Sequence, residues 1–247
     1  IISVIFYRIR VRFGLYNGCR KDYEIPNPPY FSISNAPHSP FRSSSKWNEN
    51  GHLFGHINFP LKTSIPNWLV NPLTQKRLDL PLKPWWKISD FNENVGDIKL
   101  IWEQSRMDWL IPLAQRARNG HDESLIKINE WIFDWISKNP PYFGPNWKCG
   151  QEASIRVINL ACAAIILKQE RQVLVGLQSL IELHLKRISP TINYAIAQNN
   201  NHGTSEAAAL FIGGSWLNLV GVASAKKWET LGRKWLENLS LIHISEP

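Results

Sequence analysis

Three asparagines and a histidine open the segment QNNNHGTSEAAALFIGG, residues 198–214, which is otherwise rich in Ala, Gly, Leu and Phe. Capping a helix uses one such side chain. Asn199, Asn200, Asn201 and His202 in a row supply more polar groups than a cap needs. Asn201 and His202 therefore read as functional residues, with Asn200 a candidate for substrate binding. An amide and an imidazole side by side are donors suited to stabilising negative charge as it develops on a bound group. A cap followed by a core histidine is the plain structural alternative.

A second polar set sits in GPNWKCGQEASIRVINL, residues 144–160. Glu152 and Arg156 are four apart, and an exposed pair at that spacing is worth only about 0.2–0.5 kcal/mol. The surrounding Ile, Val, Leu and Ala argue for burial, where an ion pair costs desolvation and is weak evidence for stability. The pair reads equally as a site and as an architectural clamp. Lys99, Glu103 and Arg106 form one polar line at helical spacing; Glu152, Arg156 and Asn159 form another, and Asn199, His202 and Glu206 a third. Arg156, Glu152, Glu206 and Arg106 are thus substrate-binding candidates. Trp147 and Trp102 join them for their flat apolar faces, which suit sugar rings as well as gaps between helices.

The elements that must position these residues fall into two textures. Residues 1–95 are broken by Pro, Asn and Ser, as in EIPNPPYFSISNAPHSPF, and read as an irregular region of loops and short extended pieces. Its opening ISVIFYRIRVRF fits a strand or a short helix. Residues 96–238 read as successive helices: one over 96–120 kinked at Pro112, one from a cap at Asp122 to a stop at Pro140, and four more through Asn238. Amphipathic helices alternate with helices that are apolar nearly all round except for one polar line. Recurrence at roughly fifty-residue intervals is the length of a helical hairpin. The chain is therefore expected to be mainly all-α, an incomplete α/α toroid of antiparallel hairpins with an irregular Pro-rich N-terminal region; a stacked solenoid is the structural rival.

The chain of 247 residues carries a formal net charge of +8, with 12 Trp and 1 Met. Such a charge attracts polyanions, yet the basic residues are scattered and no nucleic-acid motif appears. Cys19, Cys149 and Cys162 have neither metal-ligand spacing nor the look of a disulfide framework, so no metal and no cofactor is implied. No apolar run of about 18 residues marks a membrane span. Ile1 is not an initiator Met, which leaves any leader outside the reading.

GDIKLIWEQSR, NWKCGQEASIRVINL and NNNHGTSEAAALFIGG together resemble, in order and spacing, signature stretches of the heparinase II/III-like polysaccharide lyases. The resemblance covers about residues 85–238. It implies a helical toroid followed by a C-terminal β-sandwich and cleavage of uronic-acid polysaccharides, such as alginate or glycosaminoglycans, by β-elimination. It also implies periplasmic or secreted life. The matching Asn201 and His202 would handle the uronate carboxylate, with a later tyrosine as acid or base and a further histidine beyond the toroid.

The chain departs from that pattern in lacking any tyrosine after Tyr194 and any β-sandwich sequence. Residues 239–247, LSLIHISEP, look foreign to it, so the reading is of a fragment with little activity of its own. An α/α-toroid glycoside hydrolase using Glu103, Glu152 or Glu206 is an alternative, as is a non-catalytic helical-repeat binding scaffold.

Overall fold

A computed structural model describes residues 2–15, 23–33, 49–61, 65–79 and 83–244. Cys19 and the last three residues of the C-terminal tail lie outside the described residues. The chain is mostly helical, with short strand pairs confined to its first hundred residues. The opening segment is a helix, α1 (Ile2–Arg12). Strands β1 (Asn50–Leu53) and β2 (Ile57–Pro60) pair antiparallel with Asn50 opposite Pro60 and Leu53 opposite Ile57. The two-residue strands β3 (Phe91–Asn92) and β4 (Gly96–Asp97) lead into the main helices.

The stretch expected as one helix kinked at Pro112 is two, α2 (Lys99–Ser105) and α3 (Leu110–Arg118). The chain breaks at Met107, which is buried with a left-handed φ of 65°. Pro112 consequently falls in the first turn of α3, where a missing N–H leaves no hydrogen bond unmade. Helix α4 (Asp122–Lys138) buries Leu125, Ile128, Ile132 and Trp135 along one stripe. His121 rather than Asp122 holds its capping position, and Asp122 lies in the first turn, where its charge complements the helix dipole. Helices α5 (Gly150–Leu167) and α6 (Val175–Ile188) follow. The short α7 (Ile192–Ala197) was not expected from the sequence; α8 (Asn201–Leu219) and α9 (Lys226–Ile244) complete the order. Helix α9 runs on through the first part of the segment set apart as a tail.

Helices α3, α5 and α8 pack in succession, while α4 lies on α3, α6 on α5 and α8, and α9 on α8. Part of this order follows from the sequence: α5 and α8 are apolar nearly all round, whereas α3, expected to be of that kind, is amphipathic like α4, α6 and α9. A helix apolar on most sides must be covered on most sides, whereas an amphipathic one needs a single covered stripe. Helix α5 has a mean hydropathy of 1.3 over 18 residues, enough by length and composition alone to cross a membrane, and 61% of that stretch is buried inside the protein, as in a core helix. It packs here against α3, α6 and α8 and carries Glu152 and Arg156.

The irregular segments share the helical core: Tyr30, Phe31, Leu61, Trp68 and Trp85 belong to the same apolar cluster as the helices. Buried amides take the place of a neighbouring strand for the extended segment around Tyr30. The Asn129 carbonyl oxygen accepts from the backbone N–H groups of Tyr30 and Phe31 at 2.7 and 3.0 Å. Gln169 in turn brackets Ser32, accepting from its N–H at 2.7 Å and donating to its carbonyl at 2.9 Å. These bonds satisfy backbone groups that burial would otherwise leave unpaired.

Helices α8 and α9 approach each other backbone to backbone. A Cβ on Gly214 would overlap the backbone of Glu229, and one on Gly232 would overlap the backbone around Phe211. Neither obstacle is a side chain able to swing away. Gly214→Ala or Gly232→Ala is expected to lower stability by about 1–3 kcal/mol, read as an earlier urea midpoint; an unchanged midpoint in both variants would contradict this packing.

Candidate functional site

A cavity of about 490 Å³ opens where α2, α5, α7 and α8 meet the segment around Trp85. Helix α1 supplies one wall through Tyr7 and Val11, and the Tyr7 ring stacks on Tyr194 at 3.6 Å between centroids. Trp85, Trp86 and Trp102 form apolar wall. Trp102 is fixed by donating its indole N–H to the Pro145 carbonyl at 2.9 Å. Lys99, Arg106, Glu152, His202 and Glu206 also line the space, so members of all three polar lines converge on it.

Arg106 joins two of those lines. Its guanidinium grips Glu152 with two bonds, at 2.8 and 3.0 Å, and reaches Glu103 at 2.6 Å. Burial works against its charge, but the bond to Glu152 and the nearby charges of Glu152, Glu103 and Asp108 outweigh that and raise its pKa. Glu103 also accepts from the Phe54 N–H, anchoring the turn between β1 and β2. The expected Glu152–Arg156 partnership is therefore replaced by one with Arg106.

His202 and Glu206, one turn apart on α8, face the start of α5. The His202 Nδ1 lies 3.9 Å from a Glu206 oxygen and 3.9 Å from the Cys149 sulfur. Hydrogen bonding to Cys149 and then to Glu206 pushes the His202 pKa up to about 10, against the opposing effect of burial. Glu206 is only 3% exposed. Burial raises its pKa, and the His202 bond and the Arg187 charge pull the other way. Gly150 makes this seat possible, because a Cβ there would overlap the Glu206 carboxylate.

The other candidates separate from the cavity. Arg156 is fully buried and turns to the opposite side of α5, donating to His184 Nε2 at 2.9 Å and to the Asn146 carbonyl at 2.8 Å. Its guanidinium lies over the rings of Trp135 and Trp147, 4.8 and 5.5 Å from their centroids. Burial first, then the Arg156 charge, drives the His184 pKa well down, which keeps the imidazole neutral. The network then requires Nδ1–H to donate to the Leu180 carbonyl at 2.7 Å while Nε2 accepts. Trp147 has no exposed surface and donates to the Asn139 carbonyl, so it packs the core rather than presenting a face to a sugar. These placements correct the expectation that Arg156 and Trp147 bind substrate.

The asparagine run also divides. Asn199 takes a left-handed φ of 51° where α7 ends, and Asn200 caps α8, accepting from the His202 N–H at 2.9 Å. Asn201 is exposed as the first residue of α8 and does not line the cavity. Two of the three asparagines thus have local backbone work, which accounts for much of the apparent excess.

Sequence reasoning missed Cys149, Lys148, Arg187, Tyr7, Tyr194, Gln198, Trp85 and Trp86. One signal was available: Tyr194, Gln198, His202 and Glu206 recur every four residues and line the same space, although α7 and α8 are separate helices. No signal existed for Arg187. It donates to the carbonyls of Trp147 and Lys148 at 2.8 and 2.6 Å and lies over the Trp85 ring at 3.7 Å, all contacts distant in sequence.

Replacing Arg156 with Met is expected to cost about 2–4 kcal/mol in urea denaturation, because His184 and the Asn146 carbonyl lose a buried partner; ligand affinity should stay within about twofold. The pH dependence has a definite sign. His202 with a raised pKa stabilises the fold fully below its ordinary 6.5, and that contribution is lost as pH rises through about 10. The thermal midpoint should therefore fall from about pH 7 to about pH 10, and His202→Gln should flatten the decline; an equal slope in both proteins would contradict the coupling. No family model, curated protein or solved structure matches the chain.

Proposed function

We propose that this chain is the helical, substrate-binding part of a polysaccharide lyase that cleaves uronic-acid polymers by β-elimination. In this reading α3, α5 and α8 are inner helices and α4, α6 and α9 outer helices of an incomplete α/α toroid. The carrying observation is the cavity itself: imidazole, ammonium and guanidinium groups share one space with tryptophan walls. That combination suits a chain of sugar rings bearing carboxylates.

β-Elimination removes the proton α to a carboxylate, and negative charge accumulates on that carboxylate in the transition state. The protonated form of His202, favoured by Cys149 and Glu206, is placed to stabilise it. Lys148, held by Asp90 at 2.6 Å, and Arg187 contribute further positive charge along the cavity. A phenol can both take and return a proton, and Tyr7 and Tyr194 are the phenols in the lining. Asn201 is outside that lining, so the role the resemblance implies for it has no support from its position.

One observation favours a hydrolase as the second reading. Three carboxyl groups line the cavity: Asp90, paired with Lys148, Glu152, gripped by Arg106, and Glu206, whose pKa is raised by burial. Glycoside hydrolysis uses two carboxyl groups flanking the scissile bond, and Glu152 and Glu206 are the candidates for that pair.

Titration calorimetry with alginate and heparin tests the proposal. Binding should weaken as salt rises, and His202→Gln or Lys148→Gln should lower affinity about tenfold, the loss of one charge-assisted hydrogen bond. Equal affinity for a neutral glucan, or affinity unaffected by both changes, would reject the acidic-polymer reading. Where turnover is detected, unsaturated uronate ends support the lyase and saturated ends the hydrolase.

A further inference from the structure

We infer that Cys149 is a nucleophilic thiol paired with His202, so that the cavity contains a site for reversible modification by small disulfides. This inference goes beyond the polysaccharide reading and does not rest on it.

Cys149 occupies the residue before α5, an 18-residue helix, and has no side-chain capping bond to spend its sulfur on. It is partly exposed, lines the cavity and is a free cysteine. The positive end of a helix and a neighbouring imidazolium are the two environments that favour sulfur in its negative, nucleophilic form. Both are present, with His202 Nδ1 at 3.9 Å.

Glu206 provides a second and independent observation. Its carboxylate is 3% exposed, lines the same cavity, and leaves Oε2 without a hydrogen-bond partner among the described residues. Its other oxygen lies 3.9 Å from the same His202 nitrogen that faces the sulfur. One proton-bearing nitrogen thus stands between two acidic groups, an arrangement that spends burial energy without closing its own hydrogen bonds.

Among the described residues the other charged groups around the sulfur are Lys148 and Glu152 from its own segment, Arg156 further along α5, Arg106 from the end of α2, Arg187 from α6, and Asp90 and Lys99 in the cavity lining. Glu152 is tied to Arg106 and Asp90 to Lys148, so neither acid is an uncompensated charge. Among the described residues Arg187 has no carboxylate in bonding contact, and it adds positive charge.

The reaction is a thiol–disulfide exchange. With His202 Nδ1 as its proton partner, the Cys149 sulfur attacks one sulfur of a small disulfide, and a new S–S bond forms as the old one breaks. The departing thiolate takes a proton from His202 or water. The disulfide is the oxidant, and a small thiol reverses the step. The attached group occupies part of the roughly 490 Å³ space and so competes with any ligand there.

Cys162, exposed on the same helix, is an internal comparison. The folded chain would be treated with dithiodipyridine over about pH 5.5–8.5, with peptide mapping to follow Cys149, Cys162 and Cys19 separately. Cys149 should react at least about tenfold faster than Cys162 near pH 6.5 despite its lower exposure. His202→Gln should bring Cys149 down to the Cys162 rate while leaving Cys162 unchanged. A Cys149 rate equal to or below that of Cys162 across the whole range would overturn the inference, and that comparison needs only the unaltered chain. A fast Cys149 indifferent to His202→Gln, with Cys162 unchanged, would also overturn it.

Discussion

Helices α5 and α8 can meet as they do only because Gly150 leaves room for the Glu206 carboxylate at the first turn of α5. That contact sets the distance between the start of one helix and the second turn of the other. It thereby brings Cys149 and His202 face to face and closes one side of the cavity. The carboxylate is unfavourable in isolation, since it is buried and incompletely bonded. The α5 N-terminus and the Arg187 charge offset part of that cost.

Three arginines show how differently a guanidinium can be accommodated in one small region. Arg106 sits at a partly exposed edge and is neutralised by two carboxylates. Arg187 is held by two backbone carbonyls and a threonine hydroxyl under a tryptophan face. Arg156 is sealed in the core by a neutral histidine, a backbone carbonyl and two indoles. Only the first two face the cavity. The third ties α5, α6 and the segment preceding α5 into one unit, which makes it architectural.

Helix positions, the buried stripe of α4, and the convergence of Arg106, Glu152, His202 and Glu206 were legible because helical periodicity places residues three or four apart on one side. The break at Met107 was not legible, since a proline pattern suggests a kink at the proline rather than a left-handed residue ahead of it. The asparagine run misled for a related reason. A backbone turn between α7 and α8 consumes Asn199 and Asn200, and a sequence does not show that α7 exists.

The sequence by itself determined the helical character and the polar lines along the helices, because these follow from local spacing and burial preference. Only the tertiary structure decided which way each polar side chain turns. A polar residue on a buried helix has neighbours on several sides, and the choice between cavity and core depends on partners far away in the chain. Arg156 went to His184 and Asn146, Arg106 went to Glu152, and Cys149 came to His202. Those pairings span 10 to 53 residues and were fixed by helix packing, which no local pattern encodes.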